Sequence, residues 1–289
     1  MKKIFGLLVI LGLSTGLFAA SSGFGSLSKN LKSLDGTKVS AATAELAEGR
    51  ELFPIVWKWT HNELSVGGKV VGAQYSLDEM NVFDDTYQIT TEVYMKGLIG
   101  QLVCQKSVLE ITCENNTVSV LTKEMYQYNC DKNLDRTGDI IEEQKSAMNT
   151  QAKSFADGFA NDSKNLSDEE YNTWSDAAYY NIETQLKISK YAANKLKAKK
   201  WYEKHSLVGK TVEFTMLFTD LKESKTKGFE YEAGGLYGLT PITVLSNNDD
   251  YIDLKSESNL KIKGVVKDVH YSGDYDTKYE IKWITIEEQ

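Results

Sequence analysis

Proline is nearly missing from this chain: Pro54 and Pro241 are the only two among 289 residues. So few exclude a proline-rich linker between parts. Histidine is almost as scarce, and His61, His205 and His270 are scattered, with no spacing that makes a metal site or a base–nucleophile pair evident. No H-E-x-x-H, phosphate-loop or dinucleotide-binding glycine pattern occurs. Gly12-Leu13-Ser14-Thr15-Gly16 has the spacing of a serine-hydrolase elbow, but it lies in an apolar leader and the match is accidental. After the N-terminus no apolar run reaches membrane-spanning length. An excess of positive charge is lacking too: the formal net charge is −8. A negative chain has no general attraction to nucleic acid or anionic lipid, which leaves only local basic patches for such contacts.

Cysteine is limited to Cys104, Cys113 and Cys130. In an oxidising compartment three cysteines allow one disulfide and leave one thiol over, and the spacing does not choose the pair. No histidine stands near any of them to act as a base, which argues against a catalytic thiol.

What is present starts with a leader. Lys2 and Lys3 precede an apolar run from Ile4 to Leu13, and small residues follow at Ala19, Ala20, Ser21 and Ser22. This is the layout of a secretion signal, expected over residues 1–22, with a retained anchor as the competing reading. The protein is therefore expected to be exported, periplasmic or secreted, with no membrane span once the signal is removed. Residues 23–38, rich in glycine, serine and lysine, read as a flexible lead-in.

Residues 39–138 read as an α+β domain built on an antiparallel sheet. Val39 to Arg50, with Ala41, Ala42, Ala44, Leu46 and Ala47, has the composition of a short helix. The runs Phe53–Trp59, Val66–Tyr75, Tyr87–Met95, Leu98–Cys104, Val108–Cys113 and Thr117–Thr122 are rich in β-branched and aromatic residues and read as strands. Turn formers separate them, and Asn115-Asn116 predicts a tight hairpin. Spacers this short favour antiparallel pairing.

At residues 139–204 the period switches to a helical hairpin. Ile141, Met148, Ala152, Phe155 and Phe159 form one helical stripe. A second start signal stands at Ser167-Asp168-Glu169-Glu170, a capping box. No glycine or proline interrupts Asp168 to His205, so one long helix of about 55 Å is expected at 1.5 Å per residue. Lys195, Lys197, Lys199, Lys200 and Lys204 would crowd its C-terminal end, where the helix dipole favours cations; docking of an anion is the alternative use.

Residues 205–289 alternate as a small barrel. Val212, Phe214, Met216 and Phe218 mark a first strand. Strands around Phe229–Gly234, Leu239–Leu245, Asn259–Val269 and Tyr279–Ile286 follow, with a helical or turn segment at Asp249–Lys255. Leu207, Gly209, Lys210 and Val212 fit an "L-x-G-K-x-V" opening, and Ile262, Gly264 and Val266 fit an "I-x-G-x-V" fourth strand. In this order of elements the region resembles OB-fold domains of the anticodon-binding-like kind that also occur in exported bacterial proteins. Gly264 has a physical reason: a strand bending to close a small barrel needs a residue without a β-carbon.

The resemblance implies a ligand-binding surface on the second and third strands, flanked by the first and last loops. Here that means Phe229, Tyr231 and Tyr237, Lys222, Lys225 and Lys227 in the first loop, and Tyr275 in the last. Aromatics beside lysines can stack bases or sugars and meet phosphates. The competing use of the tyrosines is packing against the rest of the chain.

One loop has metal-ligand spacing. Asp131, Asn133, Asp135, Asp139 and Glu142 occupy positions 1, 3, 5, 9 and 12 of an EF-type Ca²⁺ loop. Arg136 stands where the sharp turn wants glycine, and Gly138 replaces an apolar residue. A polar turn is the favoured reading, with Asp139 capping the next helix and Glu142 completing the box. Ca²⁺ is thus the one cofactor the sequence allows.

The leading expectation is an exported, non-enzymatic binding or assembly protein whose barrel contacts a ligand, glycan or protein partner. A hydrolase using dispersed carboxylates such as Asp78, Glu79, Asp84 and Asp85 is the first alternative. A single-stranded nucleic-acid binder is the second, disfavoured by charge and export.

Overall fold

Alternating apolar residues build two separate β systems with helices between them, the expected α+β class. The structure, a computed structural model, describes residues 39–62, 70–96, 102–129, 142–273 and 276–289. The expected leader and lead-in lie outside the described residues. The chain divides into two compact units, with the boundary between Ser175 and Asp176. No described helix is long and apolar enough to cross a membrane.

The first unit is a five-stranded antiparallel sheet in the order β1-β5-β4-β3-β2. Its strands are β1 (Ala42–Glu45), β2 (Val70–Asn81), β3 (Thr86–Lys96), β4 (Leu102–Glu114) and β5 (Thr117–Asn129). Asn115 and Asn116 turn the β4–β5 hairpin at φ of 48° and 66°, as a two-residue turn of this kind requires. One face of the sheet buries Tyr87, Ile89, Leu109, Ile111, Val118 and Val120.

Three local expectations fail here. Phe53–Trp59 is not a strand but the heart of helix α1 (Leu52–His61), whose residues from Leu52 to Trp57 are all buried. A helix covered on nearly every side shows no amphipathic period, so β-branched and aromatic content misleads. Pro54 stands in its first turn, where a missing N–H costs no intrahelical bond. Conversely, the alanine-rich 39–50 stretch contains β1, because Ala42 and Ala44 pair with Val120 and Val118. Leu98–Cys104 and Val108–Cys113 are not two strands: β4 runs unbroken from Leu102.

Helix α2 (Glu142–Asn165) buries Met148, Ala152, Phe155 and Phe159 of the stripe read from the sequence, whose first member, Ile141, lies outside the described residues. It meets α1 through Trp59, whose ring lies 5.2 Å from Phe155, 4.9 Å from Phe159 and 6.3 Å from Tyr75. Trp59 Nε1–H and Lys58 Nζ both donate to Asp162 Oδ2, at 2.8 and 2.6 Å. Gly158 makes room for the indole, since a β-carbon there would lie 2.6 Å from it.

The capping box forms as read: the Glu170 amide donates to Ser167 Oγ at 3.2 Å, and the Ser167 amide to Glu170 Oε2 at 3.0 Å. The single long helix does not. Residues 168–204 make three helices, α3 (Asp168–Tyr179), α4 (Ile182–Tyr191) and α5 (Lys195–Lys204). Asn181 and Asn194 break the run by capping new starts, accepting from the amides of Glu183 (2.8 Å) and Lys197 (2.9 Å). An asparagine N-cap restarts a helix without glycine or proline.

The second unit contains the barrel. Its strands are β6 (Thr211–Glu223), β7 (Tyr231–Tyr237), β8 (Thr240–Ser246), β9 (Asn259–Tyr271) and β10 (Ile281–Glu288), with a 3-10 turn at Asp249–Asp253. The barrel closes in the order β10-β8-β7-β6-β9. Only β8 and β10 pair in parallel, and the result is a closed, mixed, OB-like barrel. Val212, Ala233, Ile242, Val244, Ile262, Val266, Ile284 and Ile286 fill it. At one end Ser246 and Tyr251 both donate to the Glu288 carboxylate.

Gln185 ties the helices of this unit together. Its buried Nε2 donates to the carbonyls of Tyr179 at 2.7 Å and His205 at 2.8 Å, and its backbone carbonyl accepts from the Tyr202 hydroxyl at 2.8 Å.

Candidate functional site

Strand register decides which side chains the barrel presents outward. Ala233, Ile242, Val244 and Ile284 point inward, so the alternate residues face out. In β6, β7, β8 and β10 these form three rows. Lys222, Glu232, Leu245 (buried despite its outward parity) and Glu287 make the first, and Asp220, Gly234, Thr243 and Thr285 the second. Leu217, Leu236 and Pro241 pair in the third. Trp283 continues that row, one residue before the Ile284–Ile242 pair. At about 4.8 Å between strands this apolar row spans roughly 14 Å.

Among the described residues most of this row is open, and Leu236 is half-buried. Leu217 is 39% exposed and Trp283 42% exposed, while Leu239 in the adjoining β7–β8 turn is 96% exposed. Trp283 stacks face to face on His270 at 3.5 Å between centroids, which holds the indole upright. Asp220 lies across β7: a β-carbon on Gly234 would come within 2.1 Å of its Oδ1. The Lys222 ammonium, 2.7 Å from Asp220, holds that carboxyl below the usual range.

The aromatics expected on this face are elsewhere. Tyr231 and Tyr237 share the inward parity of Ala233 and sit at the two ends of β7. The Tyr231 hydroxyl donates to Asp249 Oδ1 at 2.8 Å. The Tyr237 ring meets Phe214 edge-on at 5.6 Å, and burial, with the charge of Glu183, pushes its phenol pKa up. Phe229 is half-buried just before β7. Lys222 is paired with Asp220, while Lys225 and Lys227 are exposed in the β6–β7 loop. Tyr275 lies outside the described residues.

The remaining candidates do not converge. Asp131, Asn133, Asp135 and Asp139 lie outside the described residues, and Glu142 opens α2. Cys104 is disulfide-bonded and Cys113 is a free thiol, whereas Cys130 lies outside the described residues. Among the described residues no cluster of three or more His, Cys, Asp or Glu side chains is arranged to hold a metal ion. Asp78 accepts from Thr90 at 2.6 Å, and Asp84 from Asn81 at 2.9 Å. At Asp85, burial, more than the nearby charges of Glu51 and Asp84, raises the pKa against a hydrogen bond from Tyr87.

Asp85 also has φ of 45°, a conformation asparagine tolerates well. A raised carboxyl favours the folded state only while protonated, and that benefit is lost as pH rises through the folded-state value. Asp85→Asn is therefore expected to raise the melting temperature at pH 7, with the gain vanishing by about pH 3, where both states hold the proton. A gain independent of pH in thermal melts would contradict this.

The residues that sequence reasoning missed carry a legible signal. Leu217 falls between Met216 and Phe218, out of phase with the inward alternation, and Trp283 precedes the inward pair Ile284 and Ile286. No protein-family model matches this chain, and no curated protein matches it.

Proposed function

We infer that this chain is an exported binding or assembly protein whose OB-like barrel docks a protein partner on the Leu217–Leu236–Pro241–Trp283 row. The exposed row on an otherwise well-filled barrel carries the reading, since a contiguous apolar strip rimmed by polar groups marks an interaction surface. The basic, apolar, small-residue order of residues 2–22 supports export. The disulfide at Cys104 fits an oxidising compartment. The Leu207, Gly209, Lys210, Val212 opening and the Ile262, Gly264, Val266 strand support placing the barrel with the anticodon-binding-like kind.

The chemistry of the face favours protein over the other ligands. Lys222 and Lys267 beside this face are ion-paired with Asp220 and Glu287, which leaves them less able to hold phosphates and disfavours a nucleic-acid strand. Two leucines and a proline offer no stacking platform, and one face of Trp283 is covered by His270, which disfavours a sugar chain. Leucine, proline and tryptophan together suit apolar side chains of a partner.

A photo-crosslinking residue at position 236, in intact cells, tests this. It is expected to capture one protein that a probe at Lys261, exposed on β9, does not. Leu217→Asp in the same chain should reduce the adduct about tenfold or more. Equal capture at both positions, or recovery of this chain alone, would overturn the reading.

A further inference from the structure

Helix α5 runs against the sign of the whole chain. Acidic residues outnumber basic ones 41 to 33 overall, yet α5 holds Lys195, Lys197, Lys199, Lys200 and Lys204 against the lone acid Glu203. Its inward face is apolar and settled: Ala198, Trp201 and Tyr202 are buried, with His205 capping the end. Its outward face carries Leu196, 61% exposed, with Lys199 and Lys200 three and four residues on, one turn away on the same side. Lys195 is engaged by the carbonyl of Gly273 at 2.6 Å. Lys199 and Lys200 are exposed and have no partner among the described residues.

Helix electrostatics accounts for Lys204, in the last turn, but not for the lysines before it. Were residues 168–204 one helix, the lysines would complement its C-terminal end. The Asn194 cap instead starts a new helix, so Lys195 and Lys197 stand in its first turn, where the dipole disfavours cations. An exposed leucine beside two exposed lysines, Lys199 and Lys200, suits an external anionic surface. A leucine that enters an apolar layer while its neighbouring lysines meet headgroups is the arrangement of a helix lying in a membrane interface.

We propose that the outer face of α5 docks on an anionic membrane surface, with Leu196 in the headgroup layer and Lys199 and Lys200 on lipid phosphates. The barrel row described above is a different surface, and neither proposal requires the other.

The test is co-sedimentation of the full chain with vesicles of phosphatidylcholine alone or mixed equally with phosphatidylglycerol. The readout is the ratio of affinities for the two, which cancels binding through any apolar segment. At low salt the anionic vesicles should bind more tightly, and the preference should disappear in high salt. The double variant Lys199→Glu, Lys200→Glu should lose more affinity for the anionic vesicles than the roughly thirtyfold that removing two charges alone gives, with unchanged circular dichroism. Lys199→Gln, Lys200→Gln should lose less, and Leu196→Ser should weaken binding without changing its salt dependence. No preference for anionic vesicles, or equal binding by the charge-reversed variant, would overturn the proposal. So would binding of soluble polyphosphate with no binding of vesicles.

Discussion

Gly264→Val is expected to prevent the barrel from closing. A β-carbon at this position would lie 2.4 Å from the carbonyl oxygen of Glu287 and 2.6 Å from Ile286 Cγ2, both on β10. The nearest atom is backbone, so no rotamer change relieves the contact. Gly264 pairs with Val212 of β6 and with Glu288 of β10, and moving either strand would open the hydrogen-bonded ring. Overpacking of a core costs about 1–3 kcal/mol when side chains can shift. A clash with paired backbone belongs to the rarer losses of about 4 kcal/mol or more. Gly264→Ala should fall in the same direction, because the β-carbon itself makes the clash. Denaturant unfolding followed by circular dichroism reads both, and an alanine variant as stable as the parent would refute the account.

The second large effect is expected at Trp59. Its indole joins α1 to α2 by ring contacts with Phe155 and Phe159, reaches Tyr75 on the sheet, and shares Asp162 with Lys58. Trp59→Ala should cost about 3–5 kcal/mol, the usual range for removing a packed aromatic. The cavity would open beside Gly158, which has no side chain with which to fill it. Trp59→Phe keeps a ring and loses the Nε1–H bond, and should cost about 1–2 kcal/mol. Equal losses from the two variants would show that the hydrogen bond, not the packing, holds the helices together.

Much of the barrel was legible because two-residue alternation and a mid-strand glycine are local signals. Val212, Met216 and Ile262 point inward as their spacing says. The same alternation, carried one step further, gives the outward row, since Leu217 is apolar at a position whose parity faces out. Aromatic content drew attention to Tyr231 and Tyr237 instead, and strand parity takes both off the outer face. The carboxylates of the first unit were legible as residues but not as a site, because no pattern in a single chain says whether separated acids meet.

What the sequence by itself determined is what rests on neighbours within a few residues. The Ser167–Glu170 capping box, the Asn115–Asn116 turn, the stripe on α2 and the glycine in β9 all belong to that class. The tertiary structure decided the rest. It made a helix of Leu52–His61 by burying all of Leu52 to Trp57, and drew Ala42 and Ala44 into a strand by offering them Val120 and Val118. It also let Asn181 and Asn194 divide one expected helix into three. Intrinsic preferences differ by less than about 1 kcal/mol per residue, so contacts between distant residues override them.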